Sequence, residues 1–159
     1  MPKYEFEYKV FASKEELEST YKLLLEKAQQ ATHKAYAPYS HFHVGCAVLL
    51  KNNVIVEGVN IENAAYPVGI CAERSALSSA LSSYPNEKIV AIAISYVSQS
   101  GRSDEPAFPC GMCRQFIAEV EQKNQSPIPL ILGGEEGEII IIEKAQYLLP
   151  FNFDKNDLK

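Results

Sequence analysis

Several things are scarce in this 159-residue chain, and each scarcity excludes something. No apolar run approaches the ~20 residues that a membrane helix needs. The opening Met1-Pro2-Lys3-Tyr4-Glu5-Phe6 lacks the apolar core of a signal peptide. The expectation is a cytoplasmic protein with no membrane partner. Basic residues are outnumbered, 15 Lys and Arg against 20 Asp and Glu, for a net charge of −5. No basic face emerges, which argues against nucleic acid as a partner. Repeats, low-complexity tracts and linkers are missing, so residues 1–159 read as one domain with its own core. With 47% hydrophobic and 22% charged residues, that domain folds rather than staying disordered. There are only four cysteines, and in a reducing compartment they serve as thiols or metal ligands more often than as disulfides.

What is present is concentrated in two short motifs. Cys71-Ala72-Glu73 is followed by Pro109-Cys110-Gly111-Met112-Cys113. Together they offer three thiolates and a carboxylate, with no fourth ligand of matching context. A closed structural zinc site takes four protein ligands, whereas a catalytic one takes three and leaves a position for water. The expectation is one Zn²⁺ per chain on Cys71, Cys110 and Cys113, with Glu73 as the proton carrier for activated water. Cys110 and Cys113 stand three apart in the first turn of a helix and share a face. Cys71 opens another helix, so two helix N-termini point at the metal and favour thiolate. With Cys71 at the N-cap, the Glu73 carboxylate can turn toward the metal. Three thiolates on Zn²⁺ leave a formal −1, and Arg74 and Arg114 are the candidate cations beside the sulfurs.

Blander readings explain less. Redox pairs and zinc ribbons share Cys-x-x-Cys, but a ribbon needs a second such pair and a redox pair leaves Cys71-Ala72-Glu73 unexplained. Cys46 lies in an apolar strand and reads as a small buried hydrophobe. His33, His41 and His43 lack ligand spacing.

Pattern and punctuation predict the elements. Ser13-Lys14-Glu15-Glu16 reads as a capping box opening a helix that runs to about Ala35 and stops before Pro38. Val44 to Leu50 and Val54 to Asn60 read as a hairpin across Lys51-Asn52-Asn53. A helix is expected over Ile70–Ser83, a central strand over Ile89–Val97 and a polar loop over Ser98–Phe108. A further helix covers about Cys110–Gln122. Strands follow at Pro129–Gly133 and Glu138–Ile142, and a short helix or turn at Glu143–Leu149. The order α-β-β-α-β-α-β-β packs as a three-layer α/β/α fold around a central mixed five-stranded sheet.

Five segments in this order resemble the homotetrameric cytidine deaminases, over most of the chain. They are Pro38-Tyr39-Ser40-His41-Phe42-His43-Val44-Gly45; Asn60-Ile61-Glu62-Asn63-Ala64-Ala65-Tyr66-Pro67; the two metal motifs, extended by Arg74 and by Arg114-Gln115; and Leu148-Leu149-Pro150-Phe151-Asn152-Phe153. The two metal motifs follow the signature of zinc nucleobase deaminases in its three-cysteine form. The resemblance implies that Asn60 and Glu62 hold a sugar hydroxyl, that Phe42 packs on the pyrimidine, and that the Ala72 N–H holds its O2. It implies that Phe153, and also Ala64, Ala65 and Tyr66, complete the pocket of a neighbouring subunit in a homotetramer with shared active sites. Where the family usually has Ser, this chain has Phe108, whose backbone carbonyl is at the family's contact to the amino group.

The activity implied is hydrolytic deamination of cytidine and 2′-deoxycytidine to the uracil nucleosides and ammonia, a step of pyrimidine salvage. A deaminase of a related aminopyrimidine nucleoside, such as an antibiotic, stays open as the alternative. So does a zinc-stabilised binding protein without catalysis, although Glu73 beside an open metal position has no use there. A nucleotide deaminase would need added phosphate-binding cations, and a polynucleotide editor basic and aromatic flanks.

Overall fold

Alternation along the strands sets the architecture. In β2 (Phe42–Leu50), Cys46, Val48 and Leu50 face one way, while Ala47 and Leu49 face the other. Both faces are apolar, so both must be covered. The computed structural model describes residues 1–158. Its sheet also contains β1 (Lys9–Phe11), β3 (Ile55–Val59), β4 (Ile89–Ser98), β5 (Leu130–Gly133) and β6 (Ile139–Ile142). The spatial order is β1-β6-β5-β4-β2-β3. Only β4 and β5 pair in parallel, which makes the sheet mixed.

One face is covered by α1 (Ser19–Ala31), whose Leu24, Leu25 and Ala28 pack with Ala47, Ala91, Ala93 and Ile131. The other is covered by α2 (Ala72–Ser83) and α3 (Gly111–Asn124), where Ala76, Leu77, Ile117 and Val120 pack with Val48, Ile92, Ile94 and Leu132. This is the three-layer α/β/α fold expected from the element order.

Two glycines bring the helices close to the sheet. A Cβ on Gly45 would lie 2.1 Å from the Ala28 carbonyl oxygen, and one on Gly58 would lie 2.3 Å from the Ala76 nitrogen. Backbone therefore packs on backbone at both places. The Gly58 approach presses α2 onto β3 and fixes the end of α2 that carries Cys71 and Glu73.

The sheet has six strands rather than five. The extra one, β1, pairs antiparallel with β6, Lys9 opposite Ile141 and Phe11 opposite Ile139. Three residues with mostly exposed side chains give no periodic signal. This strand exists because the β6 edge offers it unpaired backbone groups. The segment before it is tied to the far end of the chain: Tyr4 Oη donates to the Tyr147 carbonyl at 3.2 Å, and Phe6 stacks on Tyr147 at 5.4 Å.

The first helix also starts later than its capping box suggested. Ser13 Oγ accepts from the Glu15 N–H at 3.3 Å, but Glu16 reaches back to the Ala12 N–H at 3.0 Å. The box closes a single 3₁₀ turn, Lys14–Glu16. Leu17 then turns extended and is buried, and α1 begins at Ser19. At its far end α1 stops at Ala31 and continues as a 3₁₀ turn, Thr32–Lys34. No helix among the described residues is long and apolar enough to cross a membrane.

Candidate active site

The N-termini of α2 and α3 meet above the sheet. Cys71 is the N-cap of α2 and Cys110 the N-cap of α3, both with extended backbone and no side-chain cap. Cys113 lies in the first turn of α3. The first N–H groups of both helices thus face the sulfurs, which they favour as anions. The three Sγ atoms all lie within 4.8 Å of one another, and Cys71 and Cys110 are 3.9 Å apart. Tetrahedral sulfurs with Zn–S bonds of about 2.3 Å stand roughly 3.8 Å apart. All three are free thiols, graded from buried Cys113 through half-buried Cys71 to exposed Cys110. The open side of the triad faces a cavity of about 760 Å³. Three thiols that converge, with a fourth direction left to the cavity, fit a tetrahedral zinc ion with one open position.

The electrostatics follow from this crowding. Cys71 is pulled down to about 5, first by the hydrogen bond from the Cys113 thiol, then by Arg74 and Cys110, against the opposing effect of burial. Cys113 is pushed up by the same bond to Cys71 and by burial. The Cys113 bond and the Arg74 guanidinium thus both favour thiolate at Cys71. Arg74 donates from Nη2 to Cys71 Sγ at 3.8 Å and to the Gly69 carbonyl at 3.4 Å. Its Nε is buried with no hydrogen-bond partner.

Glu73 is 5% exposed and lines the cavity beside Cys71. Burial raises its pKa, and the Cys71 charge adds to the rise; its own backbone N–H, the Cys113 thiol and Arg74 oppose it. A carboxyl group shifted upward next to an open metal position is equipped to take and return a proton.

Arg114 does something other than flank a sulfur. Its Nε donates to the Pro109 carbonyl at 2.8 Å and its Nη1 to the Leu148 carbonyl at 3.2 Å. The sequence reading set Arg114 beside the sulfurs, and its hydrogen bonds go to these two carbonyls. Arg114 thereby ties the start of α3 to the C-terminal segment.

The opposite wall is built from β2, the residues after β3 and the loop before α3. Phe42, Asn60, Glu62, Tyr66, Ala72 and Phe108 all line the cavity. Asn60 Oδ1 accepts from the Val44 N–H at 2.8 Å, and its Nδ2 donates to the Phe42 carbonyl at 2.9 Å. Glu62 accepts from the Tyr39 and Ser40 N–H groups at 2.9 and 3.3 Å and from the Ser40 hydroxyl. These bonds hold its carboxyl below the usual range, the Ser40 hydroxyl contributing most. The Phe42 ring stacks on Tyr96 at 4.7 Å. Phe108 is exposed on the rim.

Ala64, Ala65 and Phe153 are exposed and do not line this chain's own cavity. The Phe153 carbonyl accepts from Gln115 Nε2 at 2.8 Å, which sets the C-terminal segment along α3. Cys46 is fully buried, and burial pushes its thiol up. Two supporting residues had no role in the sequence reading. Tyr96 backs Phe42 from within β4, and Ser40 bonds to Glu62. In Ser40 a signal was there, a hydroxyl in a Pro-Tyr-Ser turn, but its partner is 22 positions away.

Comparison with known proteins agrees with this geometry. Residues 18–126 match the family described as the cytidine and deoxycytidylate deaminase zinc-binding region. The chain is 40% identical over 136 residues to a cytidine deaminase of Halalkalibacterium halodurans, covering 86% of this chain and 96% of that one. It is 31% identical to a blasticidin-S deaminase of Bacillus cereus, covering 83% and 93%. Among solved structures, the cytidine deaminase of Burkholderia pseudomallei superposes with a TM-score of 0.71 at 36% identity, over 82% of this chain and 97% of that one.

Proposed function

The chain belongs to the zinc-binding cytidine and deoxycytidylate deaminase family, and on that premise we propose that it hydrolyses cytidine and 2′-deoxycytidine to the uracil nucleosides and ammonia. The observation that carries this is Glu73, buried beside three convergent thiols at the wall of a largely apolar cavity. Cys71, Cys110 and Cys113 hold one zinc ion per chain. Zinc, when bound, supplies the Lewis acidity that makes hydroxide available near neutral pH.

The protein's own groups do the rest. Glu73 accepts the proton that water gives up and delivers it to ring N3, which makes C4 electrophilic. The oxygen of that water bonds to C4, Glu73 moves its remaining hydroxyl proton to the exocyclic nitrogen, and the C4–N bond breaks to release ammonia. One carboxylate serves as base and then as acid, so its raised pKa suits both halves. The Ala72 N–H, at the start of α2, binds the pyrimidine O2. Phe42, backed by Tyr96, stacks on the ring, and the Phe108 carbonyl receives the amino group. Arg74 offsets the surplus negative charge of the thiolates. Asn60 and Glu62 receive the sugar hydroxyl.

In this reading residues 1–159 form one catalytic domain, working in the cytoplasm in pyrimidine salvage. Exposed Phe153, Ala64 and Ala65 complete the pockets of neighbouring copies in a homotetramer, while Tyr66 lines the cavity of its own chain. Phe108 on the rim, together with the likeness to a blasticidin-S deaminase, keeps a second reading in play, a related aminopyrimidine nucleoside as substrate. The test is ammonia release by zinc-quantified protein offered cytidine, 2′-deoxycytidine, cytidine monophosphate and an aminopyrimidine nucleoside antibiotic. Release from the two cytosine nucleosides at about one zinc per chain supports the first reading. Release from the antibiotic alone supports the second, and none from any of them defeats both.

A further inference from the structure

We propose that Ser40 is a positioning residue that sets the sugar specificity of the pocket, by holding the Glu62 carboxylate and the Phe42 backbone through one hydroxyl. The inference rests on the reading above, in which Glu62 receives a sugar hydroxyl.

Ser40 Oγ donates to Glu62 Oε1 and accepts from the Phe42 N–H at 3.1 Å. Among the described residues it is the one group that bonds both to the carboxylate at the sugar end and to the residue that carries the stacking ring. Donation and acceptance through the same oxygen reinforce each other. The rest of the network is backbone. Glu62 Oε2 takes the Tyr39 and Ser40 N–H groups at 2.9 and 3.3 Å, and Asn60 fixes the Phe42 carbonyl at 2.9 Å. The turn itself is closed by the His41 N–H on the Ala37 carbonyl at 3.0 Å, with His41 at φ +54°.

A carboxylate has about four acceptor positions, and three protein donors leave one for a ligand. Which position stays free is decided on Oε1 by the Ser40 hydroxyl alone. Without it the two N–H bonds to Oε2 still tether Glu62, so the side chain stays near the pocket while Oε1 loses its aim. The loss falls on ligands that use Oε1, and spares those with no hydroxyl to present.

The experiment uses the full, zinc-loaded chain. Calorimetry gives Kd for uridine and 3′-deoxyuridine, and kinetics give kcat and KM for cytidine and 3′-deoxycytidine. Wild type, Ser40→Ala, Ser40→Thr and Glu62→Gln are compared. Ser40→Ala is expected to weaken the hydroxylated ligand about tenfold, the scale of one hydrogen bond to a charged group. The deoxy ligand should change less than about twofold by the same reasoning. KM moves while kcat holds, and Ser40→Thr restores wild-type binding. An equal loss for both ligands with Ser40→Ala, or a loss for neither, overturns the proposal. If instead Glu62→Gln leaves the preference for the hydroxylated ligand intact, the assignment of the sugar to Glu62 falls, and the role of Ser40 falls with it.

Discussion

Two glutamates are buried to the same degree in the layer formed by α2 and α3, each 5% exposed, and they lead opposite lives. Glu121, near the C-terminal end of α3, accepts from the N–H groups of Ile128 and Ala145 on one oxygen, at 2.7 and 2.9 Å, and of Gln146 on the other at 3.0 Å. It ties the helix to the run before β5 and to the turn after β6. Glu73, at the N-terminal end of α2, has its own backbone N–H, the Cys113 thiol and Arg74 for company, beside a cluster that is itself anionic. Burial therefore does not identify a working acid. The partners do: a carboxylate satisfied by fixed backbone donors is a rivet, and one left facing a cavity and a metal site has capacity to spare.

The largest break in this comparison comes from removing the metal at the Glu73 end. Cys113→Ala should lose zinc and reduce ammonia release to background, because two thiols do not make the site. Zinc analysis beside the assay checks both at once. Glu121→Gln comes next, at the other end. A Gln oxygen can still accept from Ile128 and Ala145, but its NH₂ group then opposes the Gln146 N–H. The expected cost is about 2 kcal/mol, or roughly 4–8 °C in Tm, with kcat unchanged below the transition. Thermal unfolding with kinetics on the folded protein measures it.

The smallest effect concerns charge on the sulfurs. Cys71 is lowered to about 5, so its thiolate persists as pH falls and is lost only through that value. Alkylation of the metal-free protein should therefore single out Cys71, with a rate already near its plateau at neutral pH, where an ordinary thiol with pKa about 8.5 is still climbing. Arg74→Ala should shift the profile upward and Arg114→Ala should leave it in place. An equal shift from both would erase the distinction between the two arginines.

The metal end of this comparison was legible in the sequence and the other end was not. Each of Cys71-Ala72-Glu73 and Cys110-Gly111-Met112-Cys113 is local, and the pair could be joined across 39 positions because together they follow the three-cysteine signature of zinc nucleobase deaminases. Glu121 sits in a helix whose sequence neighbours are ordinary, and its partners come from two other segments. The same reason hid Tyr96 behind Phe42 and Ser40 beneath Glu62: each acts across a tertiary contact that no periodicity encodes. Apolar runs revealed five strands and three layers, while β1 depended on an edge only the folded sheet provides. Arg114 shows the limit from the other side, since adjacency to a metal motif suggested the sulfurs and the fold gave it two carbonyls instead.

The most direct test of the central claim is Glu73→Gln, assayed for cytidine turnover against its own zinc content, with Glu121→Gln treated identically. The account predicts full zinc and at least a ~10³-fold loss of kcat for Glu73→Gln, within the span that general acid–base catalysis contributes, and near-wild-type kcat for Glu121→Gln. Zinc-replete Glu73→Gln turning over cytidine at the wild-type rate would contradict it.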